Sequence, residues 1–226
     1  MEGVTDDAPR IKFCGLTRLD DAQHAVDAGA WAIGLIFWPA SKRAVALDEA
    51  ERIGRALRRK VELVGVFVDQ PLDEVVAIAE AVGLTMVQLH GDEGPRYADE
   101  VARRTGTKVL KAARVQTRGD VDRLAAFSVA YHLVDAHDPA LPGGTGHTFD
   151  WSVLRGRRSD VPLVLSGGLT PENVAEAIRA VKPFAVDVAS GVESAPGVKD
   201  HAKLDAFAAA VRSTAPARPA SAEVVA

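Results

Sequence analysis

Leu163-Val164-Leu165-Ser166-Gly167-Gly168-Leu169-Thr170-Pro171-Glu172 is the stretch on which the fold turns. An apolar run of strand length ends in a paired-glycine turn, and Thr170-Pro171-Glu172 then supplies a capping residue followed by proline at the first helical position. Strand, glycine turn and helix start form one unit, and its neighbours repeat it. Upstream, Gly143-Gly144-Thr145-Gly146 follows an apolar run, and downstream Ser190-Gly191 follows another. Glycine lets backbone N–H groups approach phosphate oxygens, and a helix starting just beyond adds its positive end.

Farther out, apolar runs alternate with amphipathic segments about eight times, close to the count a closed barrel requires. Strands are expected near Ile11–Gly15, Ala32–Phe37, Leu63–Val68, Met86–His90, Val109–Ala112, His132–Asp135, Leu163–Ser166 and Ala185–Ala189. Most are continuous apolar runs, as parallel strands buried on both faces should be. Helices are expected over Leu19–Ala28, Leu47–Arg59, Leu72–Val82, Pro95–Thr105, Asp120–Phe127, Pro171–Ala180 and His201–Val211, with a short one over Asp150–Leu154. An open doubly wound sheet shows the same alternation. Two features favour a single (β/α)8 barrel of the α/β class over residues 1–213: no Gly-x-Gly-x-x-Gly follows the first strand, and the glycine turns follow strands six, seven and eight, where barrels place a phosphate.

The composition fits one domain. The chain has 226 residues, 47% of them hydrophobic, and a formal charge of −4 without a basic stripe, which argues against nucleic acid as a partner. Arg55, Arg58, Arg59 and Lys60, the densest basic cluster, reads as a solvated helix end. A single cysteine excludes an intrachain disulfide, Met1 to Arg10 lacks the apolar core of a signal peptide, and Ala30 to Trp38 is too short to span a bilayer. A cytoplasmic protein with no membrane partner is expected, with residues 214–226, rich in Ala and Pro, as a loose tail.

In a barrel the reacting groups come from the C-terminal ends of strands, which selects Cys14, Phe37 to Arg43, Asp69, His90, Lys111, Asp135, Ser166 and Asp187 to Ser190. Cys14 reads either as apolar filler or as a thiolate able to remove a proton, given a neighbouring positive charge. Asp135 reads as a loop cap or as a general acid across the mouth from Cys14. Arg43 reads as a solvated loop charge or as a bidentate clamp on a carboxylate. His90 has a structural reading and a binding one. The other histidines have no metal-ligand spacing, so no metal is implied. A phosphate site is expected on Gly144, Thr145, Gly146, Gly167, Gly168, Ser190 and Gly191, which the barrel would bring together.

The stretches KFCGLT, FWPASKR, VGVFVD, VQLHGDE, LVDA, GGTGHTFDW, LSGGLTPENV and VDVASGVE, in order from Lys12 to Glu193, resemble the phosphoribosylanthranilate isomerases of tryptophan biosynthesis. The resemblance implies an enzyme that isomerises N-(5'-phosphoribosyl)anthranilate to the 1-deoxyribulose 5-phosphate by an Amadori rearrangement, without a cofactor. By resemblance Cys14 matches the general base, Asp135 the general acid and Arg43 the arginine that meets the anthranilate carboxylate. Phe13, where a smaller aliphatic residue is usual, and His147, where lysine is frequent, depart from the common pattern.

Other readings remain at this stage. Indole-3-glycerol-phosphate synthase would need catalytic lysines and a glutamate at several strand ends; Lys111 is present, but strand three ends in Val68-Asp69. The histidine-pathway isomerase, which runs the same rearrangement, resembles this chain in its phosphate loops but carries aspartate where Cys14 stands. A non-catalytic phosphate-metabolite-binding barrel would keep the glycine loops and have no need of Cys14 or Asp135.

Overall fold

A computed structural model describes residues 8–135, 151–154 and 156–215. Eight parallel strands close on themselves: β1 (Arg10–Cys14), β2 (Ala32–Ile36), β3 (Glu62–Phe67), β4 (Met86–Leu89), β5 (Lys108–Arg114), β6 (Tyr131–Asp135), β7 (Leu163–Ser166) and β8 (Ala185–Val188). Closure is made by β8 against β1, with Lys12 in register with Asp187. The expected barrel is thus the observed one, and the doubly wound sheet is excluded.

Helices α1 (Leu19–Asp27), α2 (Leu47–Leu57), α3 (Leu72–Val82), α4 (Pro95–Thr105), α5 (Arg118–Arg123), α6 (Val174–Val181) and α7 (His201–Arg212) surround the barrel, and a 3-10 turn, Trp151–Leu154, stands where the short helix was expected. A two-stranded hairpin of β9 (Glu193–Ala195) and β10 (Val198–Lys199) follows β8. Strand alternation divides the side chains between two cores. Ile11 and Phe13 point out to the helices, where Phe13 meets Phe207 edge-on with ring centroids 6.0 Å apart. Inside, Ala32, Val64, Met86, Leu110, Leu133, Val164 and Ala185 form a second apolar cluster, packed against Trp31, Tyr131 and Phe184.

Two helices differ from expectation at their ends. The segment predicted as Asp120–Phe127 is α5 followed by a 3-10 turn, Leu124–Ala126. The chain tightens there because Phe127 N–H bonds back to Leu124 O, while Phe127 O is taken by the buried His132 ring rather than by a further turn of helix. The segment predicted from Pro171 becomes regular helix only at Val174. The expected cap at Thr170 closes the turn before the helix instead: Thr170 Oγ accepts from Glu172 N–H and Thr170 N–H donates to Asn173 Oδ1, while Asn173 itself stands at the N-cap position. Helix α2 ends at Leu57, and Arg58, Arg59 and Lys60 are exposed beyond it. At the C-terminus, Thr214 and Ala215 still donate to carbonyls of the last turn of α7, and the remainder of the expected tail lies outside the described residues. Among the described residues no helix is long and apolar enough to cross a membrane.

Candidate active site

The same alternation that fills the barrel's lower half with hydrocarbon puts polar side chains at its C-terminal mouth. On β1, Lys12 and Cys14 are two residues apart and share the inward face; on β4 the inward series is Met86 and Gln88, continued by His90; on β6 it is Leu133 and Asp135. A cavity of about 280 Å³ at this mouth is lined by Cys14, Arg43, His90, Asp135, Gly167, Gly168 and Ser190, with Gln88, Ser166 and Asp187 in its wall. Residues selected from sequence on six different strand ends therefore meet in one cavity.

Gly191 lies just behind this lining, and its role is close approach: a Cβ there would stand 2.0 Å from Leu169 O, so only glycine lets the turn after β8 lie against the turn after β7. Gly144, Thr145, Gly146 and His147 lie outside the described residues.

Each reactive side chain is held by neighbours. Cys14 is buried, at 5% exposure, and burial pushes its thiol above the ordinary value. The positive charges of Lys12 and Lys199 pull the other way, and Asp187 adds to the rise. Asp135 faces His90, whose Nε2 is 3.6 Å from Asp135 Oδ2, and the other ring nitrogen of His90 is 3.0 Å from Gln88 Nε2. An amide N–H donating to Nδ1 leaves the His90 proton on Nε2, toward the carboxylate and the cavity. The buried Gln88 Oε1 has no partner among the described residues.

Arg43 is not a solvated loop charge. Its Nε lies 2.8 and 3.0 Å from the two carboxylate oxygens of Glu193 and its Nη2 2.8 Å from Oε2, while Glu193 also accepts from Lys199 Nζ at 3.0 Å. Burial would raise the Glu193 carboxyl, but Arg43 and Lys199 outweigh it and hold it below its usual value. The hairpin thus fixes one edge of the guanidinium, and the methylene stem of Arg43 lies over Gly15, next to Cys14.

Two other strand-end residues are drawn elsewhere. Lys111 lies on the outward face of β5, where its Nζ donates to Gly91 O at 2.6 Å and to Glu93 at 2.7 Å. It does not line the Cys14 cavity, so the catalytic lysine an indole-3-glycerol-phosphate synthase needs is missing there. Asp69 accepts from Asp92 N–H at 2.7 Å and ties one loop to the next. The sequence reading gave no role to Lys12, Gln88, Glu193 or Lys199. The alternation in Ile11-Lys12-Phe13-Cys14 was the available signal for Lys12: a lysine on the thiol's own face of a buried strand. No signal marked Glu193 and Lys199, which reach Arg43 only through the hairpin fold.

Comparison with known proteins agrees with this geometry. Residues 11–210 match the family described as N-(5'-phosphoribosyl)anthranilate (PRA) isomerase. The N-(5'-phosphoribosyl)anthranilate isomerase of Geobacter sulfurreducens is 46% identical over 198 residues, covering 88% of this chain and 96% of that protein. Its counterpart from Pelobacter propionicus is 44% identical, covering 88% and 93%. The crystal structure of phosphoribosyl anthranilate isomerase from Thermotoga maritima superposes with a TM-score of 0.82 at 42% identity, covering 91% of this chain and 99% of that one. A phosphoribosyl anthranilate isomerase solved in complex with reduced 1-(o-carboxyphenylamino)-1-deoxyribulose 5-phosphate has a TM-score of 0.79 at 40% identity, covering 91% and 99%.

Proposed function

The chain belongs to the N-(5'-phosphoribosyl)anthranilate isomerase family, and we propose that Cys14 is its general base, Asp135 its general acid and Arg43 its anchor for the anthranilate carboxylate. The reaction is the Amadori rearrangement of N-(5'-phosphoribosyl)anthranilate to 1-(2-carboxyphenylamino)-1-deoxyribulose 5-phosphate, an aldose–ketose isomerisation in tryptophan biosynthesis. The observation that carries the assignment of roles is the meeting of Cys14, Asp135 and the glycine turns after β7 and β8 in one cavity.

The phosphate would rest on backbone N–H groups of Gly167-Gly168 and Ser190-Gly191, with Gly144 to Gly146 completing the cradle. Arg43, with Nε and Nη2 already committed to Glu193, would offer its remaining edge to the anthranilate carboxylate. His90, with Nε2 turned toward Asp135 and the cavity, would orient the ribose between those two anchors. In protonated form, Asp135 would donate to the ring oxygen as the ring opens to a protonated Schiff base. The Cys14 thiolate would then take the C2′ proton, and the enolamine formed would tautomerise to the ketone. The cationic imine is itself the electron sink that makes the C2′ proton acidic, so one acid and one base are sufficient. A free thiol at the reacting centre suits a reducing compartment, the cytoplasm.

The test is to generate phosphoribosylanthranilate in situ and follow loss of its anthranilate-type fluorescence. Rapid loss with wild type and none above background with Cys14→Ala is expected. Loss that survives in Cys14→Ala removes the thiol from the mechanism. Turnover only on the histidine-pathway substrate would reassign the reaction, and saturable phosphate-ester binding without turnover would make the barrel a binder.

A further inference from the structure

A lysine at 0% exposure inside a barrel needs a reason, because burying an ammonium is expensive unless it is paired and hydrogen-bonded. Lys12 Nζ lies 2.7 Å from Asp187 Oδ1, across the β1–β8 seam that closes the barrel, and Asp187 Oδ2 accepts from Ser166 Oγ at 3.1 Å. A hydrocarbon pair at this seam would cost no desolvation, and Ala185 below Asp187 and the corresponding inward positions of β2 to β7 are filled that way. The charges therefore point to a task other than stability.

Their place identifies the task. Lys12 and Cys14 lean over the same glycine of the next strand: a Cβ on Gly34 would stand 2.7 Å from Cys14 Sγ and 3.2 Å from Lys12 Nζ. The missing side chain leaves the pocket in which ammonium and sulfur meet. We propose that Lys12, anchored by Asp187, is a positioning residue for Cys14: its ammonium is the fixed counter-charge that lets the buried thiol part with its proton and aims the thiolate into the cavity. The inference rests on the reading of Cys14 as the base. It assigns to Asp187 the work of keeping Lys12 charged, since burial alone would lower the ammonium's affinity for its proton and the contacts with Asp187 and Cys14 more than restore it.

The charged groups that act on the thiol are Lys12 on the same strand, Asp187 on β8, Lys199 on β10 and Arg43 after β2, while Asp135 at the end of β6 and His90 after β4 line the same cavity. Lys12 is the largest of the influences that favour the thiolate, exceeds the opposing one of Asp187, and shares with the sulfur the space above Gly34. Removing Lys12 and Asp187 together should therefore make the thiol still harder to ionise, although one of the two charges removed is negative.

Cys14 is the only cysteine in the chain, so ultraviolet thiolate absorbance of the whole protein, with Cys14→Ser as baseline, titrates this one group without substrate. Lys12→Met alone leaves Asp187 buried and unpaired, so Lys12→Met/Asp187→Asn, which removes both charges, is the informative variant. The titration midpoint of Cys14 is expected to rise by about one unit or more, a tenfold loss of thiolate at a given pH. The deficit in kcat/KM should be largest near neutrality and shrink as pH is raised. An unshifted or lowered midpoint in the folded double variant, or a deficit equal at every pH, would overturn the proposal. In wild type, the NMR signal of the Lys12 ε-methylene should shift with the Cys14 titration; a signal that ignores it also overturns the proposal, whether or not the variant folds. Failure of the base assignment is read separately, as normal turnover by Cys14→Ala.

Discussion

The two halves of the barrel interior are built from the same strands by the same alternation, yet they contain opposite chemistry. Toward the N-terminal ends the inward residues are Met86, Leu110, Leu133, Val164 and Ala185, closed below by the Trp31, Tyr131 and Phe184 rings with the Arg10 guanidinium over two of them. Toward the C-terminal ends, one or two inward positions later, stand Cys14, Gln88, Asp135, Ser166 and Asp187. Hydrocarbon below makes the platform rigid and dry; polar groups above are costly to bury and are held by one another rather than by water. The difference teaches that stability and catalysis are separated by position along a strand, and substitutions in the two halves should divide accordingly.

The widest division is expected in turnover. Cys14→Ala and Asp135→Asn should each lower kcat by about 10²–10⁴-fold, the usual contribution of a positioned acid or base, with KM and melting temperature nearly unchanged. Steady-state kinetics beside thermal denaturation checks both. A loss confined to KM would return either residue to a binding role. In the lower half, Leu110→Ala should cost about 2–5 kcal/mol of stability in denaturant titrations and leave kcat/KM near wild type at low temperature. Leu110 is apt because no residue of β5 lines the Cys14 cavity. Loss of activity without loss of stability would break the comparison.

Smaller effects sharpen the upper half. Gly191→Ala forces a methyl against Leu169 O and should separate the two turns proposed to hold the phosphate, raising KM roughly tenfold with a smaller change in kcat. Inorganic phosphate, as a competitive inhibitor, should weaken in parallel. Glu193→Gln keeps the shape but removes the charge that holds Arg43, and a KM increase of several-fold, of the order a charge-assisted hydrogen bond supports, is expected. Unchanged KM would mean that Arg43 needs no such support.

The smallest effect lies outside both halves. His132 is buried on the outward face of β6, with Arg157 Nη2 donating to its Nδ1 at 2.8 Å and its Nε2 3.3 Å from Phe127 O. Burial, with the nearby Arg157 charge, holds it down to about 4 although the Phe127 carbonyl favours the proton. Since the unfolded chain takes up this proton near pH 6.5 and the folded one only near 4, the associated stability is present above pH 6.5 and is lost as pH falls through that window. His132→Gln should flatten the fall in melting temperature between those values, and an equally steep fall would assign it to other groups.

The barrel was legible because parallel strands buried on both faces leave continuous apolar runs, and because the turns after β7 and β8 need glycine for reasons sequence can show. Cys14, Asp135 and His90 were legible because strand ends in a barrel open on one side. Lys12 was hidden by the same rule, since it stands two residues short of the strand end and reaches the site only by the length of its side chain. Glu193 and Lys199 belong to a hairpin too short to leave a periodic signal, and the bond of Glu193 with Arg43 spans 150 residues. The break after α5 comes from a side chain of β6, His132, which local periodicity cannot register.

The central claim, that Cys14 removes the C2′ proton, is tested most directly with phosphoribosylanthranilate carrying deuterium at C2′. Wild type should show a primary isotope effect on turnover at saturating substrate when proton abstraction limits the chemical step, and Cys14→Ala should bind substrate yet convert neither isotopologue above background. Conversion by Cys14→Ala at the wild-type rate, with the isotope effect intact, would show that another group takes the proton and would contradict the account.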